Sequence, residues 1–196
     1  MAYLPIFLEL RNRACLVIGG GKVAFRKASA LAACGAKVTV VSPQVSAGLV
    51  RLVKRRKLAW RPHRFRPSDL KGIELVVAAT SRQPVNERAA REVRTRHLWI
   101  NVVDQPEFCS FIFPSVVRRG KLVLAISTEG ASPALTKWIR RDLERRYGPE
   151  FKFFLEKASR MRLQVKQTVP GPGKRKRLFE RALKAYLKVL EAGKAQ

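Results

Sequence analysis

Cysteine, histidine and acidic residues are all scarce in this chain of 196 residues. The three cysteines, Cys15, Cys34 and Cys109, are odd in number and scattered, which argues against a disulfide framework and suits reduced thiols in a cytoplasm. The only histidines are His63 and His97, and there is no CxxC pair. The sequence therefore gives no support for a dedicated zinc site, and we predict no metal-ligating residue.

Long apolar runs are missing as well. No segment reaches the roughly 20 residues that a membrane-spanning helix needs. Residues 1–13 include Glu9, Arg11 and Arg13 and lack the apolar core of a signal peptide. We therefore expect a cytoplasmic protein with no membrane partner. An apolar content of 46% is normal for a globular protein, and the length suffices for one full domain plus an appendage.

The shortage of acids leaves the chain strongly basic. Lysine and arginine together number 41 against 14 acids, which gives a formal net charge of +27. The electric field of so much positive charge attracts polyanions, whether nucleic acid, an anionic membrane or a small molecule with many carboxylates. A host whose proteins are generally basic would explain the charge equally well, and composition alone does not separate these alternatives.

Among the features that are present, the glycine-rich segment near the start is the most informative. Residues 15–43 read CLVIGGGKVAFRKASALAACGAKVTVVSP. The segment predicts a buried strand, a glycine turn, a helix and a second strand, at Cys15–Ile18, Gly19–Gly21, Val23–Ala33 and Lys37–Val41. This order within about 30 residues is the context in which a glycine pattern indicates a dinucleotide site.

The pattern itself is Gly19-x-Gly21-x-x-Ala24. Gly19 permits the tight turn, Gly21 lets a pyrophosphate approach the backbone, and Ala24 lets the helix pack close to the strand. The acid that commonly binds the ribose of NAD is replaced by residues 42–44 (SPQ), and no arginine stands beside them to bind the phosphate of NADP. The residues alone indicate a dinucleotide without deciding which one, and a glycine turn without ligand is the alternative.

Strands and helices continue to alternate after this segment. We predict strands at 57–60, 73–79 and 98–103 and helices at 44–56 and 86–97. Alternation predicts a parallel sheet with right-handed crossovers, whose ligand lies at the carboxyl ends of the strands. The polar residues predicted at those ends are Thr80, Ser81, Asn101 and Asp104.

The pattern changes from about residue 110. Two strands around residues 118–120 predict a hairpin, and Ser132 followed by Pro133 predicts the start of a helix that runs to residue 147. A helix at 150–169, a breaker with a basic run at 170–177 (PGPGKRKR) and a last helix from 178 follow. The predicted class is α/β: a Rossmann-type parallel sheet domain (1–109), a small α+β domain (110–147) and a helical C-terminal domain (148–196).

Three motifs now resemble a known family. They are YLPIFLELRNRACLVIGGGKVAFRKASAL (3–31), NVVDQPEFCSFIFPS (101–115) and STEGASPAL (127–135). Together they resemble precorrin-2 dehydrogenase, the dehydrogenase–ferrochelatase module of siroheme synthase. The similarity covers residues 3–147, and the C-terminal helices match only in type. The methyltransferase domain of siroheme synthase has no counterpart in this sequence, so we expect the stand-alone form.

The resemblance implies an oxidoreductase reaction. Precorrin-2 is oxidised to sirohydrochlorin with NAD as the hydride acceptor, for siroheme and by extension cobalamin or heme synthesis. Some members also insert Fe²⁺, which would make the chain a lyase as well. The family forms a homodimer through its small middle domain and commonly lacks the ribose acid while using NAD. Its substrate carries eight carboxylates, which gives the positive charge a partner.

The resemblance also implies roles for individual residues. Asp104 corresponds to the acid that the family uses in catalysis and chelation, because a carboxylate can accept a proton from the substrate. An acid in an Asp-Gln-Pro turn is the alternative for this residue. The implied cofactor-binding residues are Gly19, Gly21, Lys22 and Val23 at the pyrophosphate, Pro43 and Gln44 at the adenosine ribose, and Thr80 and Asn101 at the nicotinamide. The implied substrate-binding residues are Thr128 and Ser132.

Two other functions fit parts of the sequence. A nucleic-acid-binding protein on a Rossmann scaffold would explain the net charge and the run GKRKR (173–177), although no known DNA- or RNA-binding motif is present. A sensor that binds NAD without turnover would explain the glycine turn but not Asp104 and its surrounding motif.

Overall fold

The computed structural model describes residues 3–194, with side chains described through residue 189. Its contacts divide the chain into two compact units, Met1–Phe113 and Pro114–Gln196. The predicted division into three domains, with boundaries after residues 109 and 147, remains a prediction.

The first unit is built on a five-stranded parallel sheet, in the order β3-β2-β1-β4-β5. Its strands are β1 (Ala14–Ile18), β2 (Lys37–Val41), β3 (Ala59–Arg61), β4 (Leu75–Ala78) and β5 (Trp99–Val102). Its helices are α1 (Lys22–Ala33), α2 (Ala47–Arg56) and α3 (Gln83–Arg94), with short 3₁₀ turns at Pro67–Leu70 and Pro106–Phe108. The predicted α/β class with a Rossmann-type sheet is confirmed.

Burial on both faces explains why the central strands are almost wholly apolar. Alternate residues of β1 point to opposite faces: Cys15 and Val17 pack with α1 and α2, whereas Leu16 and Ile18 pack with α3. All four are at most 1% exposed. Each fully buried aliphatic side chain of this kind contributes about 1.5–3 kcal/mol to folding, so the sheet centre fixes the position of its loops.

Parallel pairing brings the loops that matter to one edge of the sheet. The glycine turn follows β1, Ser42 follows β2, Thr80 lies just past β4, and Asp104 lies just past β5. In an open parallel sheet this carboxyl edge is where ligands bind.

The second unit combines a hairpin with three helices. Antiparallel strands β6 (Ser115–Arg119) and β7 (Leu122–Ile126) are followed by α4 (Pro133–Arg146), α5 (Glu150–Thr168) and α6 (Pro172–Lys194). Arg119 fastens the hairpin to the end of α4, since its Nε donates to the carbonyl of Tyr147 at 2.9 Å. The ring of Tyr186 in α6 stacks on Phe154 in α5 with centroids 3.7 Å apart.

The predicted start of the last helix is wrong. The basic run that we predicted to be part of a breaker at 170–177 belongs to α6, which begins at Pro172. Gly171, with φ +82°, makes the turn, and proline is tolerated in the first turn of a helix because its missing N–H would be unpaired there. Within residues 3–194, no helix is long and apolar enough to cross a membrane.

Candidate functional site

The three glycines after β1 have different structural roles. Gly19 has φ +126°, and a Cβ there would lie 2.4 Å from the carbonyl oxygen of Ala79. A Cβ on Gly20 would lie 1.8 Å from the carbonyl oxygen of Gln44. A Cβ on Gly21 would meet no atom within 4 Å. Packing therefore requires the first two glycines, whereas Gly21 leaves open space where α1 begins.

The start of α1 is suited to an anion. Gly21 is its N-cap, no side chain among the described residues caps it, and its first turn holds no acid. The first N–H groups of a helix have no partner within the helix and carry a partial positive charge. Lys22 and Val23 lie in this first turn. The open space at Gly21 and these N–H groups fit a dinucleotide pyrophosphate.

The loop after β2 folds back onto the glycine turn. The N–H of Ser46 donates to the carbonyl of Gly20 at 2.8 Å, and the Ser42 hydroxyl donates to the carbonyl of Gln44 at 2.6 Å. Pro43 and Gln44 are exposed beside the turn. Ser42 thus shapes the loop in the place where other dinucleotide-binding proteins carry the ribose acid.

Sequence reasoning missed an arginine beside this loop. Pairing of β2 with β3 brings Arg61 next to Ser42, whose N–H donates to the Arg61 carbonyl at 3.2 Å. The guanidinium of Arg61 is engaged by Asp69, a buried carboxylate 2.9 Å away. The pairing of β3 with β2 is the signal that finds Arg61, because the two residues are far apart in sequence.

The loop after β4 is held by a buried asparagine. The Asn86 side-chain oxygen accepts from the Thr80 hydroxyl at 2.8 Å and from the Thr80 N–H at 3.3 Å, and its amide donates back to the Thr80 carbonyl at 3.1 Å. Asn86 was not among the predicted site residues. Thr80 is therefore fixed at the carboxyl edge, and its cofactor-binding role stays a prediction.

At the end of β5, Asn101 organises the segment that follows. Its side chain is buried, and its amide donates to the carbonyl of Phe111 at 3.0 Å and lies 3.5 Å from the Cys109 sulfur. The N–H of Val102 also donates to that sulfur at 3.1 Å, and burial raises the pKa of the Cys109 thiol. Asn101 holds this segment in place, and its contact with the cofactor stays a prediction.

Asp104 stands at the turn after β5 in an uncommon backbone conformation. Its φ is +60°, in the left-handed region that Asp and Asn tolerate better than most residues, and its side chain is exposed. The following residue, Gln105, is buried, and neither polar atom of its amide has a hydrogen-bond partner among the described residues. The carboxylate is thus free to meet a ligand at the edge where α1 begins.

Thr128 and Ser132, the predicted substrate-binding residues, both lie in the second unit. The Ser132 hydroxyl caps α4 by accepting from the N–H of Leu135 at 3.2 Å. The Thr128 hydroxyl accepts from the N–H of Ser132 and lies 3.1 Å from the hydroxyl of Thr136. The two residues thus shape the turn before α4, and their contact with substrate stays a prediction. Within the described residues, no group of three or more His, Cys, Asp or Glu side chains could hold a metal ion.

Comparison with known proteins identifies the family. An NAD(P)-binding family profile matches residues 6–115, which is more than half of the chain. The chain belongs to this NAD(P)-binding family. The predicted NAD cofactor is thereby confirmed. A second profile, described as sirohaem biosynthesis protein central, matches residues 119–146.

The curated relatives that this chain matches include siroheme synthases. It is 39% identical over 183 residues to a siroheme synthase of Methylococcus capsulatus, covering 93% of this chain and 39% of that protein. It is 40% identical over 179 residues to a siroheme synthase of Methylobacillus flagellatus, covering 91% of this chain and 38% of that protein. The chain thus spans about two fifths of the length of these relatives, and the resemblance to the siroheme synthase module is confirmed.

A solved structure extends the match to nearly the whole fold. SirC, a precorrin-2 dehydrogenase, superposes with a TM-score of 0.78 at 29% identity, covering 91% of this chain and 88% of that chain. The similarity in fold therefore includes both units of the chain.

Proposed function

We propose that this chain oxidises precorrin-2 to sirohydrochlorin with NAD⁺ as the acceptor, in siroheme synthesis and by extension in cobalamin or heme synthesis. The observation that carries the proposal is the match to SirC, because it covers most of both chains. The siroheme synthase relatives support the same substrate. The three free cysteines favour a reducing, cytoplasmic setting.

In this proposal, four loops at the carboxyl edge share the work. The open space at Gly21 and the N–H groups of Lys22 and Val23 bind the pyrophosphate, and Pro43 and Gln44 contact the adenosine ribose. Thr80 and Asn101 border the nicotinamide, which accepts a hydride when NAD⁺ is bound. Asp104 takes the proton that the substrate loses, since its exposed carboxylate lies at the same edge.

The charge of the chain fits the proposed substrate. A tetrapyrrole with eight carboxylates is drawn towards a protein of net charge +27, and the rate of encounter falls as salt screens the field. Thr128 and Ser132 are proposed as substrate contacts of the second unit.

The test compares two carboxylates of one loop. Asp104→Asn removes the proposed proton acceptor, whereas Glu107→Gln removes an exposed carboxylate three residues later in the short 3₁₀ turn. Each variant is given precorrin-2 and NAD⁺ without oxygen, and sirohydrochlorin and NADH are followed by absorbance. We expect Asp104→Asn to slow turnover about 10²–10⁴-fold with NAD⁺ affinity nearly unchanged, and Glu107→Gln to retain activity.

The outcomes separate the claims. Wild-type protein that forms no sirohydrochlorin would refute the proposed reaction. Unaltered turnover in Asp104→Asn, with an active wild type, would remove Asp104 from catalysis and leave the reaction standing.

We also propose that two copies of the chain form a homodimer through residues 110–147. The second unit exposes several large apolar side chains, including Val116 (41%), Leu135 (48%) and Trp138 (63%). A small unit cannot bury such side chains alone, and exposed apolar patches commonly mark interfaces. Sedimentation at micromolar concentration is expected to give a dimer that Trp138→Glu weakens. A wild-type monomer would reject this proposal.

Insertion of Fe²⁺ into sirohydrochlorin is proposed as a slower second activity. The four nitrogens of the macrocycle would supply the ligands, with Asp104 accepting the displaced protons, while the chain's net charge of +27 repels a free divalent ion. Following sirohydrochlorin absorbance with added Fe²⁺ against a no-enzyme control tests this. Insertion as fast as NADH formation, and indifferent to Asp104→Asn, would contradict it.

A further inference from the structure

The segment at the adenosine end of the proposed dinucleotide site has charge of one sign only. Residues 42–68, which run from the end of β2 through α2 and β3, contain eight lysines and arginines and no aspartate or glutamate. The place where a ribose-binding acid commonly stands is held by Ser42, whose hydroxyl donates to the carbonyl of Gln44. A carboxylate in that place repels the 2′-phosphate that distinguishes NADP⁺ from NAD⁺. This chain lacks that repulsion.

Arg61, the last residue of β3, lies beside Ser42 at the carboxyl edge of the sheet. Its carbonyl accepts from the Ser42 N–H at 3.2 Å, and strand pairing sets it opposite Val41. The preceding residue, Trp60, holds the same loop, since its indole N–H donates to the Ser42 carbonyl at 3.0 Å. Two successive residues of β3 therefore bind the backbone of Ser42, which fixes Arg61 next to the loop proposed to contact the ribose.

The Arg61 guanidinium is held by a buried carboxylate and remains open to solvent. Its Nη1 donates to one oxygen of Asp69 at 2.9 Å, and the other oxygen accepts from the Arg66 N–H at 2.9 Å. The Asp69 side chain is 4% exposed, whereas that of Arg61 is 44% exposed. A guanidinium has five N–H donors, and the bond to Asp69 uses one of them. The planar fork of donors is well suited to a phosphate.

We propose that the dinucleotide site accepts NADP⁺ as well as NAD⁺, with Arg61 contacting the 2′-phosphate of the adenosine ribose. In dinucleotide-binding folds, an arginine near the end of the second strand accommodates this phosphate where the ribose-binding acid is absent. Use of NADP⁺ in turnover rests on the proposed oxidation of precorrin-2, whereas binding of NADP⁺ does not.

The contact with Asp69 prepares Arg61 for this role. A long side chain that is already ordered loses less conformational entropy when it binds a ligand. The ion pair itself is close to neutral, and the net charge of this corner comes from Arg64 and Arg66, which are exposed in the same short segment after β3. A 2′-phosphate is therefore attracted to this corner, and added salt weakens the attraction.

The oxidation balances in the same way with either dinucleotide. A C–H bond of precorrin-2 breaks as its hydride reduces NADP⁺ to NADPH, so the substrate loses two electrons. An N–H bond of the substrate breaks as its proton passes to the Asp104 carboxylate. The 2′-phosphate is unchanged by the reaction and affects only the binding of the dinucleotide.

The first measurement needs neither the substrate nor a whole dinucleotide. Isothermal titration compares adenosine 2′,5′-bisphosphate with 5′-AMP, which differ only in the 2′-phosphate. We expect the wild type to bind the bisphosphate at least about fivefold more tightly, as charge-assisted hydrogen bonds to a phosphate allow, and Arg61→Gln to lose this preference. Arg56→Gln is the matched control, because it removes an exposed arginine at the last residue of α2 and should keep the preference.

A second variant leaves the ion pair intact. Arg61→Gln takes the partner of a buried carboxylate away, so thermal unfolding must show that the variant is folded. Gln44→Asp changes an exposed residue of the Ser42 loop and restores an acid there. We expect it to bind the bisphosphate about tenfold more weakly than the wild type through charge repulsion, with a smaller effect on 5′-AMP.

The binding outcomes decide the proposal. A wild type that binds the bisphosphate no more tightly than 5′-AMP would overturn it. A preference that survives in folded Arg61→Gln, or that Arg56→Gln lowers equally, would overturn the role of Arg61, because the net charge alone would then explain the binding. If Arg61→Gln does not fold, Gln44→Asp decides, and an unchanged preference in that variant would overturn the proposal.

The second measurement is turnover of precorrin-2 with each dinucleotide. We expect the wild type to form sirohydrochlorin with NADPH as well as with NADH. Oxidation with NAD⁺ and none with NADP⁺ would overturn the proposed use of NADP⁺. No oxidation with either dinucleotide, together with an intact preference for the bisphosphate, would instead refute the proposed function and leave the binding of NADP⁺ supported.

Discussion

The Asn86 side chain accepts hydrogen bonds from both the hydroxyl and the backbone N–H of Thr80, at 2.8 and 3.3 Å. Asn86 is 4% exposed, so these bonds have little competition from water. The asparagine thereby fixes the loop after β4 at the edge of the sheet where the dinucleotide is proposed to bind.

Replacing Asn86 should affect both stability and cofactor binding. Asn86→Leu leaves the N–H and carbonyl of Thr80 without their partner, and we expect it to lower the free energy of unfolding by about 1–3 kcal/mol and to weaken NAD⁺ binding. Urea unfolding and fluorescence titration measure the two effects. Arg88→Ala, which replaces an exposed residue of the same helix, should change neither the free energy of unfolding nor the NAD⁺ affinity. Equal NAD⁺ affinity in Asn86→Leu and the wild type would show that the Thr80 loop does not border the cofactor.

The different surroundings of Gly20 and Gly21 lead to a second prediction. Gly21→Val places its side chain in open space, so we expect the protein to fold with a loss of about 1 kcal/mol at the N-cap and to bind NAD⁺ at least about tenfold more weakly. Gly20→Ala should instead destabilise the fold itself, because its Cβ would overlap the Gln44 carbonyl. Thermal unfolding and NAD⁺ titration separate the two cases. A stable Gly21→Val protein with wild-type affinity would mean that the dinucleotide lies elsewhere.

The buried side-chain amide of Gln105 should lower the free energy of unfolding of the protein. Both of its polar atoms are buried without a hydrogen-bond partner among the residues described, and such a group is destabilising unless a ligand satisfies it. We expect Gln105→Met to raise the free energy of unfolding of the ligand-free protein by about 1–3 kcal/mol in urea. Gln164→Met, an exposed change in α5, should leave it unchanged. A loss of stability in Gln105→Met would contradict this account of the amide.

The thiol of Cys15 should make the fold less stable in alkali. Burial, with smaller contributions from Glu74 and Cys34, raises its pKa from 9.0 to about 11. Between these two values the unfolded thiol loses its proton and the folded one keeps it, so the free energy of unfolding falls as pH rises from 9 to 11. Urea titrations at several pH values should show a shallower fall in Cys15→Val than in the wild type. Cys34→Ser removes an exposed thiol that makes only the smallest contribution to this pKa, so it should keep nearly the wild-type slope. Identical slopes in Cys15→Val and the wild type would contradict the prediction.

The parts of the fold that depend on local pattern could be predicted. The residues of β2 agree with the predicted Lys37–Val41, and α1 begins one residue before the predicted Val23. These elements could be predicted because apolar runs and the glycines that end helices are signals carried by neighbouring residues. Gly20 could not be assigned its role, since the clash that a side chain would cause is with Gln44, in a loop that returns from the next strand. Arg61 reaches Ser42 only through the pairing of β3 with β2.

In the candidate site too, some features could be predicted from the local sequence and others could not. Asp104, Thr80 and Asn101 were expected at one edge because parallel strands place their carboxyl ends together, and the structure places them there. The buried Asn86 that holds Thr80 was not foreseen, because its hydrogen bonds to that loop become visible only in the folded structure.

The central claim is that electrons from precorrin-2 reach NAD⁺ on this chain, and one measurement tests it most directly. Purified protein is mixed without oxygen with precorrin-2 and excess NAD⁺, and NADH and sirohydrochlorin are quantified in the same sample against a mixture without enzyme. The account predicts that the two products appear together in a one-to-one ratio, and that neither forms above the control when NAD⁺ is omitted. Sirohydrochlorin formed without NADH, or neither product above the control, would contradict it.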